Sequence, residues 1–396
     1  MGLARADAPA GEHDERAGRT VPATLHRAAP ALLAYAGARL LGIAVLAIWA
    51  AVAGKSWHQL LSARWDSLWY SRIAEEGYGH TLHLPDGSVH SDLAFFPLLP
   101  WLERLISALT PLDAADAGLA VSWVSSLFAA WGIFAVGDRL HGRRVGTALV
   151  VLWAVLPVGI VQSMAYSESL FTALAAWGLY ALLTGRWVGA GSLAALAGLT
   201  RPVGAAVVAA VWLTAAAALL PGGRWRGAWR RPEHRRMLLG VALAPLGWLG
   251  YVAWVGARTG SVTGYLQVQE GWRNGFDGGV AFARFVGGLL AGPAFPAGLG
   301  LLIGVAALLR LFVKCVRRRE PLPLLVYAGA VLTLALTAKG YFGSKPRLLI
   351  PAFPVLLPIA AALARLPAVR AALVLGAVAL GSALYGAFWL NGTGPP

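Results

Sequence analysis

The chain has 396 residues, of which 58% are hydrophobic and only 13% are charged. This composition excludes an ordinary soluble protein, because too few polar side chains are present to cover so apolar a chain. The net charge of +15 does not indicate nucleic-acid binding, since the basic residues lie in short loops between apolar runs. Cys315 is the only cysteine, which excludes an intramolecular disulfide and a cysteine metal site.

Apolar runs that are long enough to cross a bilayer recur along the chain. They predict an all-α, polytopic integral membrane protein with about 11 transmembrane helices. The expected spans are 31–53, 118–137, 145–161, 168–184, 187–200, 203–220, 237–256, 284–309, 322–338, 347–364 and 371–390. Residues 1–30 are polar and rich in Ala, Pro and Arg, which predicts a disordered cytoplasmic tail before an uncleaved first span.

A polar and aromatic stretch, residues 62–112, lies inside the predicted loop 54–117. It holds six of the 18 acidic residues, namely Asp66, Glu75, Glu76, Asp86, Asp92 and Glu103. Long connectors in compact proteins are usually functional. Within it, the apolar residues of segment 94–112 recur at helical spacing. The pattern predicts an amphipathic helix that lies at the membrane interface without crossing it.

The distribution of Arg and Lys indicates the orientation of the chain. If segment 94–112 does not cross, 21 positive charges fall on one side of the membrane and 10 on the other. The positive-inside rule then assigns the richer side to the cytoplasm. A crossing segment would instead place the large basic loops outside. We therefore expect loop 54–117 to share the outer side with residues 162–167, 200–202 and 339–347.

Asp66 begins a short aromatic helix in RWDSLWYSRIAEEGY. Trp65, Trp69 and Ile73 recur every four residues, with Tyr70 beside them, which predicts an apolar face near the membrane. Two interpretations of Asp66 stand at this stage. It is either an N-cap residue of the helix or an outer-surface carboxylate that acts as a catalytic base.

Glu168 and Arg201 lie at outer turns of the predicted topology. Glu168 opens a span in AYSESLF, where the helix dipole alone would stabilise an acid; an ionisable group at the end of a span is also a functional candidate. Arg201 lies between two apolar helices and needs an anionic partner. It either pairs with Glu168 or binds a phosphate.

Lys345 and Arg347 add cations to the same outer face, at the start of a span in GSKPRLLIPAFP. They fit a lipid phosphate, although simple snorkelling to the interface gives the same pattern. The loop histidines His58, His80, His83 and His90 match no strong metal signature.

Five motifs carry a resemblance to a known family. RWDSLWYSRIAEEGYG, LAFFPLLPWLERL, AYSESLF, TRPVG and KPRLLIPAFPVLLP follow one another between residues 31 and 365. In this order the chain resembles the prokaryotic branch of the second mannosyltransferase of glycosylphosphatidylinositol assembly. That family belongs to the C-type (GT-C) glycosyltransferases, which take a sugar from a polyprenyl-phosphate donor on the outer or lumenal face.

The resemblance implies a site, a reaction and a location. Asp66 matches the catalytic acid of the first outer loop, and Glu168 matches the second acid of the next. The expected donor is polyprenyl-phosphate mannose, and the expected acceptor is an extracytoplasmic glycolipid, glycan or protein, with inversion at the sugar carbon. The expected donor-binding residues are Glu168, Arg201, Lys345, Arg347, Trp65 and Tyr70. The enzyme is expected in the plasma membrane.

The domain assignment follows the same reasoning. Residues 31–220 are expected to form the GT-C catalytic module, and residues 221–396 to complete the lipid-donor site. No cofactor is assigned. A divalent metal held by Asp66 and Glu168 stays open, as does a role for Glu168 in orienting a sugar or Arg201.

Two other classes of membrane protein compete with the enzyme. A multi-span transporter of a polar or lipid-linked solute also buries ionisable groups, but transporters often show two repeated halves. Here one long outer loop near the start has no later counterpart. A non-catalytic partner protein would not need Asp66, Glu168, Arg201 and Arg347 on one face.

Overall fold

The computed structural model describes residues 21–220 and 232–394. Within these ranges the chain is almost entirely helical, with two short antiparallel strand pairs. The first half contains α1 (Val21–Val52), α2 (Trp57–Ser62), α3 (Asp66–Glu76), β1 (Thr81–His83), β2 (Val89–Ser91), α4 (Leu98–Leu109), α5 (Ala114–His141), α6 (Arg143–Ala154), α7 (Glu168–Leu183), α8 (Trp187–Gly198) and α9 (Ala205–Leu219).

The second half begins after residues 221–231, which lie outside the described ranges. It contains α10 (Pro232–Leu243), α11 (Leu246–Thr259), α12 (Gly264–Gly271), β3 (Gly275–Phe276), α13 (Val280–Leu290), α14 (Phe295–Arg317), α15 (Leu322–Thr337), β4 (Ala338–Lys339), α16 (Lys345–Leu348), α17 (Leu357–Leu363) and α18 (Ala368–Asn391). Short 3₁₀ turns connect several of these helices.

The chain is a multi-pass membrane protein with fewer long spans than the sequence predicts. Six helical stretches among the described residues are long and apolar enough to cross a bilayer, and a bent pair would make seven. They are Leu25–Val52, Ala114–His141, Pro202–Leu219, Glu233–Thr259, Phe295–Arg317 and Ala368–Asn391. The helices α7, α8 and α15 have only 16, 12 and 16 residues, fewer than a straight span needs.

Proline interrupts two of the predicted spans. Segment 284–309 is not one helix, because Gly292 and Pro293 separate α13 from α14. Segment 347–364 is likewise broken, and its two helical parts meet at 75°. A proline lacks the amide hydrogen of a helix and disfavours helical torsions in the preceding residue. The apolar composition of both segments hides these breaks.

The predicted span 145–161 is also wrong as a continuous helix. α6 ends at Ala154, and a 3₁₀ turn over Gly159–Ser163 follows. The guanidinium of Arg39, on α1, donates hydrogen bonds to the carbonyls of Ala154 and Gly159. These bonds satisfy carbonyl groups that the broken helix leaves without partners, which a membrane interior requires.

The first helix starts earlier than expected. Val21 begins α1, so residues 21–30 are helical rather than disordered; residues 1–20 lie outside the described ranges. Ala28 is fully buried in the core. The guanidinium of Arg27 donates to both carboxylate oxygens of Asp138 on α5, at 2.7 and 2.8 Å. This bidentate pair and the buried alanine fix the segment against α5.

The core lies where α5, α6, α7 and α8 pack together with α1. Small residues allow the closest approach between helices. A methyl group added to Gly137 of α5 would lie 2.8 Å from the Cα atom of Gly146 on α6. Packing of small residues is a common way for membrane helices to associate. This rigid core supports the loops that follow α1, α6 and α8.

The loop between α1 and α5 folds into α2, α3, the β1–β2 hairpin and α4. As predicted, its segment 94–112 holds only a short helix, α4, of 12 residues. Trp101, Leu105 and Leu109 are exposed on one face of this helix, whereas Leu99 and Glu103 are buried on the other. The apolar face thus points away from the protein, as expected for a helix beside lipid.

A second strand pair joins two later loops of the chain. β3 pairs with β4, with Gly275 opposite Lys339 and Phe276 opposite Ala338. Between α12 and β3, the indole nitrogen of Trp272 donates to the carbonyl of Ser91 at 2.9 Å. The segment that leads into α16 is therefore connected to the loop between α1 and α5.

Candidate active site

Four charged residues from four separate segments meet in one cluster, which we call the ionic cluster: Asp66, Glu168, Arg201 and Arg347. Arg347 Nη1 lies 2.7 Å from Asp66 Oδ2. Arg347 Nε lies 3.3 Å from Glu168 Oε1, and Arg201 Nη1 lies 2.5 Å from the same oxygen. The sequence placed these four residues on one side of the membrane, and the structure brings them into contact.

Asp66 occupies the first turn of α3 but does not cap it. The N-cap residue is Trp65, and no side chain accepts a hydrogen bond at this cap. The carboxylate of Asp66 instead contacts Arg347, and its side chain is 25% exposed. The N-cap interpretation is therefore wrong. Trp65 has φ 53° and ψ −117°, a strained conformation for a residue other than glycine.

Glu168 is the most deeply buried member of the ionic cluster. It is the first residue of α7, and only 1% of it is exposed. Both arginine contacts reach its Oε1 atom, while Oε2 accepts no hydrogen bond from the described residues. A buried carboxylate is stable only beside such positive charge, so the two arginines are what permit Glu168 in this position.

Arg201 joins the cluster through an extended backbone between α8 and the 3₁₀ turn Pro202–Gly204. Its Nη1 also donates to Ser167 Oγ at 3.1 Å. The Tyr70 hydroxyl lies 2.9 Å from the same Ser167 oxygen. Of the two alternatives for Arg201, the structure shows the pairing with Glu168. Tyr70 reaches the cluster through Ser167.

Arg347 connects the two acids and is nearly buried, with a side chain 10% exposed. It lies on the short helix α16, whose first turn contains Pro346. Its guanidinium carbon is 5.0 Å from the centre of the Tyr166 ring, within the range of a cation–π contact. Burial and ion pairing do not fit the snorkelling interpretation, which requires a charge that reaches water.

Lys345 lies two residues away but contacts a different part of the protein. Its ammonium group donates to the carbonyls of Ala335 and Ala338, at 2.6 and 2.8 Å. The Phe282 ring centre is 4.8 Å from it. The structure therefore does not bring Lys345 to the ionic cluster. It stabilises unpaired carbonyls at the end of α15, as cations at helix C-termini commonly do.

Tyr166 and Ser167 belong to the site, although neither is among the residues predicted from the sequence. The Asp66 backbone N–H donates to the Tyr166 hydroxyl at 3.3 Å. Burial, followed by the nearby Asp66 carboxylate, raises the pKa of Tyr166 well above its usual value. Burial likewise raises the pKa of Tyr70. Both phenols thus stay neutral and can donate as well as accept. A polar run, QSMAYSE, before an apolar helix was the available signal.

Aromatic side chains surround the outer part of the site. Trp69 stacks on Phe95, with ring centres 5.6 Å apart, and meets Trp272 at 5.0 Å. Trp272 in turn stacks on His90 at 3.9 Å. His90 is thus part of an aromatic cluster.

The described residues contain no group of three or more His, Cys, Asp or Glu side chains that could hold a metal ion. Asp66 and Glu168, the two acids considered for a divalent metal, are instead connected by Arg347. Arg347 thus supplies positive charge to both carboxylates.

Comparisons with known proteins identify the fold. No family model and no curated protein matches the chain. The crystal structure of ArnT from Cupriavidus metallidurans bound to undecaprenyl phosphate aligns with a TM-score of 0.52 and 16% identity, over 85% of this chain and 60% of that one. ArnT is a GT-C glycosyltransferase, so this chain has a GT-C-like fold and spans about three fifths of ArnT.

Two further structures match more weakly. ArnT from the same organism in the apo state aligns with a TM-score of 0.48 and 18% identity, over 75% of this chain and 54% of that one. The oligosaccharyltransferase of Archaeoglobus fulgidus, in complex with Zn and sulfate, aligns with a TM-score of 0.41 and 15% identity, over 89% and 53%. Neither likeness adds to the assignment of the fold.

Proposed function

We propose that this protein is a membrane glycosyltransferase that uses a polyprenyl-phosphate sugar donor. The sugar is mannose, and the acceptor is a hydroxyl of an extracytoplasmic glycolipid, glycan or protein. The observation that carries the proposal is the ionic cluster itself: a partly exposed carboxylate, Asp66, is held by Arg347 beside a buried acid, Glu168, within a GT-C-like fold.

Asp66 is suited to act as the general base. Arg347 fixes Oδ2, while Oδ1 accepts no hydrogen bond from the described residues and the side chain is 25% exposed. In the reaction, Asp66 takes the proton of the acceptor hydroxyl as that oxygen forms a bond to the sugar C1. The bond from C1 to the phosphate oxygen breaks, and its electron pair leaves with the polyprenyl phosphate. Attack opposite the leaving group inverts the sugar carbon.

The arginines are suited to stabilise the phosphate. Arg201 and Arg347 each use only part of their donors within the described residues. Guanidinium groups have five N–H donors in a planar arrangement that fits phosphate oxygens. Negative charge grows on the leaving phosphate in the transition state, and donors already fixed by Glu168 need little reorganisation to stabilise it.

The donor class agrees with the position of the site. A polyprenyl-phosphate sugar keeps its reactive carbon at the bilayer surface, because its lipid tail remains in the membrane. The site lies where the outer loops meet the ends of apolar helices, on the side that the positive-inside rule assigns to the exterior. The undecaprenyl phosphate bound by ArnT supports a lipid phosphate as the ligand.

Asp66→Asn tests the proposal. Asn preserves an acceptor oxygen for Arg347 and no cap is lost, so we expect a folded protein. Turnover should nevertheless fall on the order of 10²-fold or more, because Asn cannot accept the proton. The measurement is transfer of labelled sugar from polyprenyl-phosphate mannose to candidate acceptors by the purified protein in nanodiscs.

Asp86→Asn is the matched control, because Asp86 is an exposed acid of the same loop. It should transfer sugar at the wild-type rate. Wild-type turnover in a well-folded Asp66→Asn protein would refute the base assignment. Movement of labelled donor across the membrane of proteoliposomes without any product would instead favour the transporter.

A further inference from the structure

Cations from the first outer loop bind the end of α18. Arg64 donates from Nη1 to the carbonyl of Leu390 and from Nη2 to that of Gly392, the latter at 2.6 Å. Lys55 Nζ donates to the carbonyl between them, that of Asn391, at 2.6 Å. The last carbonyls of a helix lack intrahelical partners and carry the negative end of its dipole. Arg64 and Lys55 therefore both attach the loop to α18.

Arg64 makes one contact that Lys55 does not. Its guanidinium carbon lies 3.9 Å from the centre of the Trp65 ring, a close cation–π contact. Trp65 is the residue with positive φ that precedes Asp66. The torsions of Trp65 set the direction in which α3 starts, and thus the direction of the Asp66 carboxylate.

We propose that Arg64 is a positioning residue for Asp66. Anchored on α18, the guanidinium holds the Trp65 ring, which keeps Trp65 in its strained conformation and Asp66 against Arg347. The inference rests on the proposed function, in which Asp66 is the base. Without Arg64, Trp65 relaxes toward negative φ, and Asp66 turns away from Arg347.

Other bonds around Trp65 do not depend on the Arg64 side chain. The backbone N–H of Arg64 donates to Ser67 Oγ at 2.7 Å, and the Ser67 hydroxyl donates to the Arg64 carbonyl at 2.6 Å. The N–H of Asp66 donates to Tyr166. These backbone contacts remain available in Arg64→Ala, so the substitution tests the contribution of the guanidinium alone.

The first experiment compares Arg64→Ala with Lys55→Ala in the purified full-length protein. Both variants lose an anchor to α18, but only Arg64→Ala releases the Trp65 ring. We expect kcat to fall between about tenfold and about 10²-fold in Arg64→Ala, with little change in donor KM, because a small misplacement of a catalytic group costs this much. Lys55→Ala should retain the wild-type kcat. Equal losses of kcat in the two variants would overturn the proposal.

The second experiment needs no turnover. Arg64→Ala should lower Tm more than Lys55→Ala does. This excess should become smaller in a Trp65→Gly chain, since glycine accepts positive φ and offers no ring; the part that remains reflects the second carbonyl bond of Arg64. An excess of unchanged size there, or none in the wild-type chain, would overturn the proposal. If the protein is not a glycosyltransferase, wild type shows no transfer while this coupling in Tm remains, so the two failures are distinguishable.

Discussion

Two glutamates of this protein are equally buried, but only one of them is paired with arginines. Glu168 and Glu103 are each 1% exposed. Glu168, at the start of α7, lies between two arginines. Glu103, on α4, forms no ion pair within the described ranges. Burial, with a smaller contribution from Glu75, raises the pKa of Glu103 well above its usual value.

The difference shows two solutions to the burial of a carboxyl group. Removing a charge from water costs several kcal/mol per ion unless an opposite charge or protonation compensates. Glu168 is compensated by guanidinium groups and belongs to the proposed chemistry. Burial raises the pKa of Glu103, which favours its neutral form, and the side chain packs against α5 at Gly118, where an added methyl group would lie 2.6 Å from its Oε1. Substitutions should therefore affect the two sites differently.

The largest effect should come from Glu168→Gln. The neutral amide leaves Arg201 and Arg347 partly uncompensated in a buried site, and breaking such a network typically costs about 3–5 kcal/mol. We expect a marked loss of Tm and of transfer activity, measured by thermal unfolding and by the labelled-donor assay. Wild-type stability of Glu168→Gln would show that the arginines do not depend on this acid.

Arg347→Ala should have the next largest effect. If Arg347 contacts the donor phosphate, its loss removes a charge-assisted hydrogen bond of about 1.5–3 kcal/mol, equivalent to a rise in donor KM of about tenfold or more. Arg347→Lys should reverse only part of this rise in donor KM, because Lys lacks the planar guanidinium. Arg273→Ala is the control, since its pair with Asp86 is exposed. An unchanged donor KM in Arg347→Ala would contradict the phosphate contact.

Gly118→Ala tests the packing around Glu103. The new methyl group displaces the Glu103 carboxyl, and overpacking of this kind typically costs about 1–3 kcal/mol. A shorter side chain at position 103 should make room for the new methyl group. The double variant Glu103→Ala with Gly118→Ala should therefore be more stable than the sum of the two single effects predicts. The Tm values of the four proteins test this. Strict additivity would mean that the two residues do not meet.

Glu103→Gln should have the smallest effect, and it depends on pH. Because the pKa of Glu103 is raised on folding, its contribution is most favourable at pH values below the unfolded pKa. It declines as pH rises toward the folded pKa. The Gln variant should lack this decline, so its Tm relative to wild type should rise from pH 5 to pH 8. A Tm difference independent of pH would indicate that Glu103 is charged in the folded protein.

The sequence predicted the convergence of the ionic cluster because membrane topology leaves few alternatives. Loops that share a side must meet around a small bundle, and the charge count fixed which loops share it. Asp66, Glu168, Arg201 and Arg347 come from segments up to 281 residues apart, and all four were expected on one face. The resemblance named the same acids, and the GT-C-like fold agrees with it at a coarser level.

The features of the site that were not predicted depend on local geometry, which the amino-acid sequence does not reveal directly. Lys345 and Arg347 are two residues apart, and the turn of one short helix sends them to different partners. The positive φ of Trp65 leaves no mark in a sequence that contains no glycine there. Glu103 was expected on a surface helix, but membrane helices can direct apolar residues outward and polar residues inward. The number of spans was overestimated for a similar reason, since prolines interrupt some of the apolar runs.

The contact between Asp66 and Arg347 has a consequence for biosynthesis. A ribosome that adds about 5–20 residues per second needs on the order of tens of seconds to cover the 281 residues between them. Asp66, Glu168 and Arg201 are all made before the cation that joins the two acids, Arg347. α18, which binds Arg64, follows later still. The ionic cluster can therefore be completed only after Arg347 has been made, and the contacts of Arg64 only after α18.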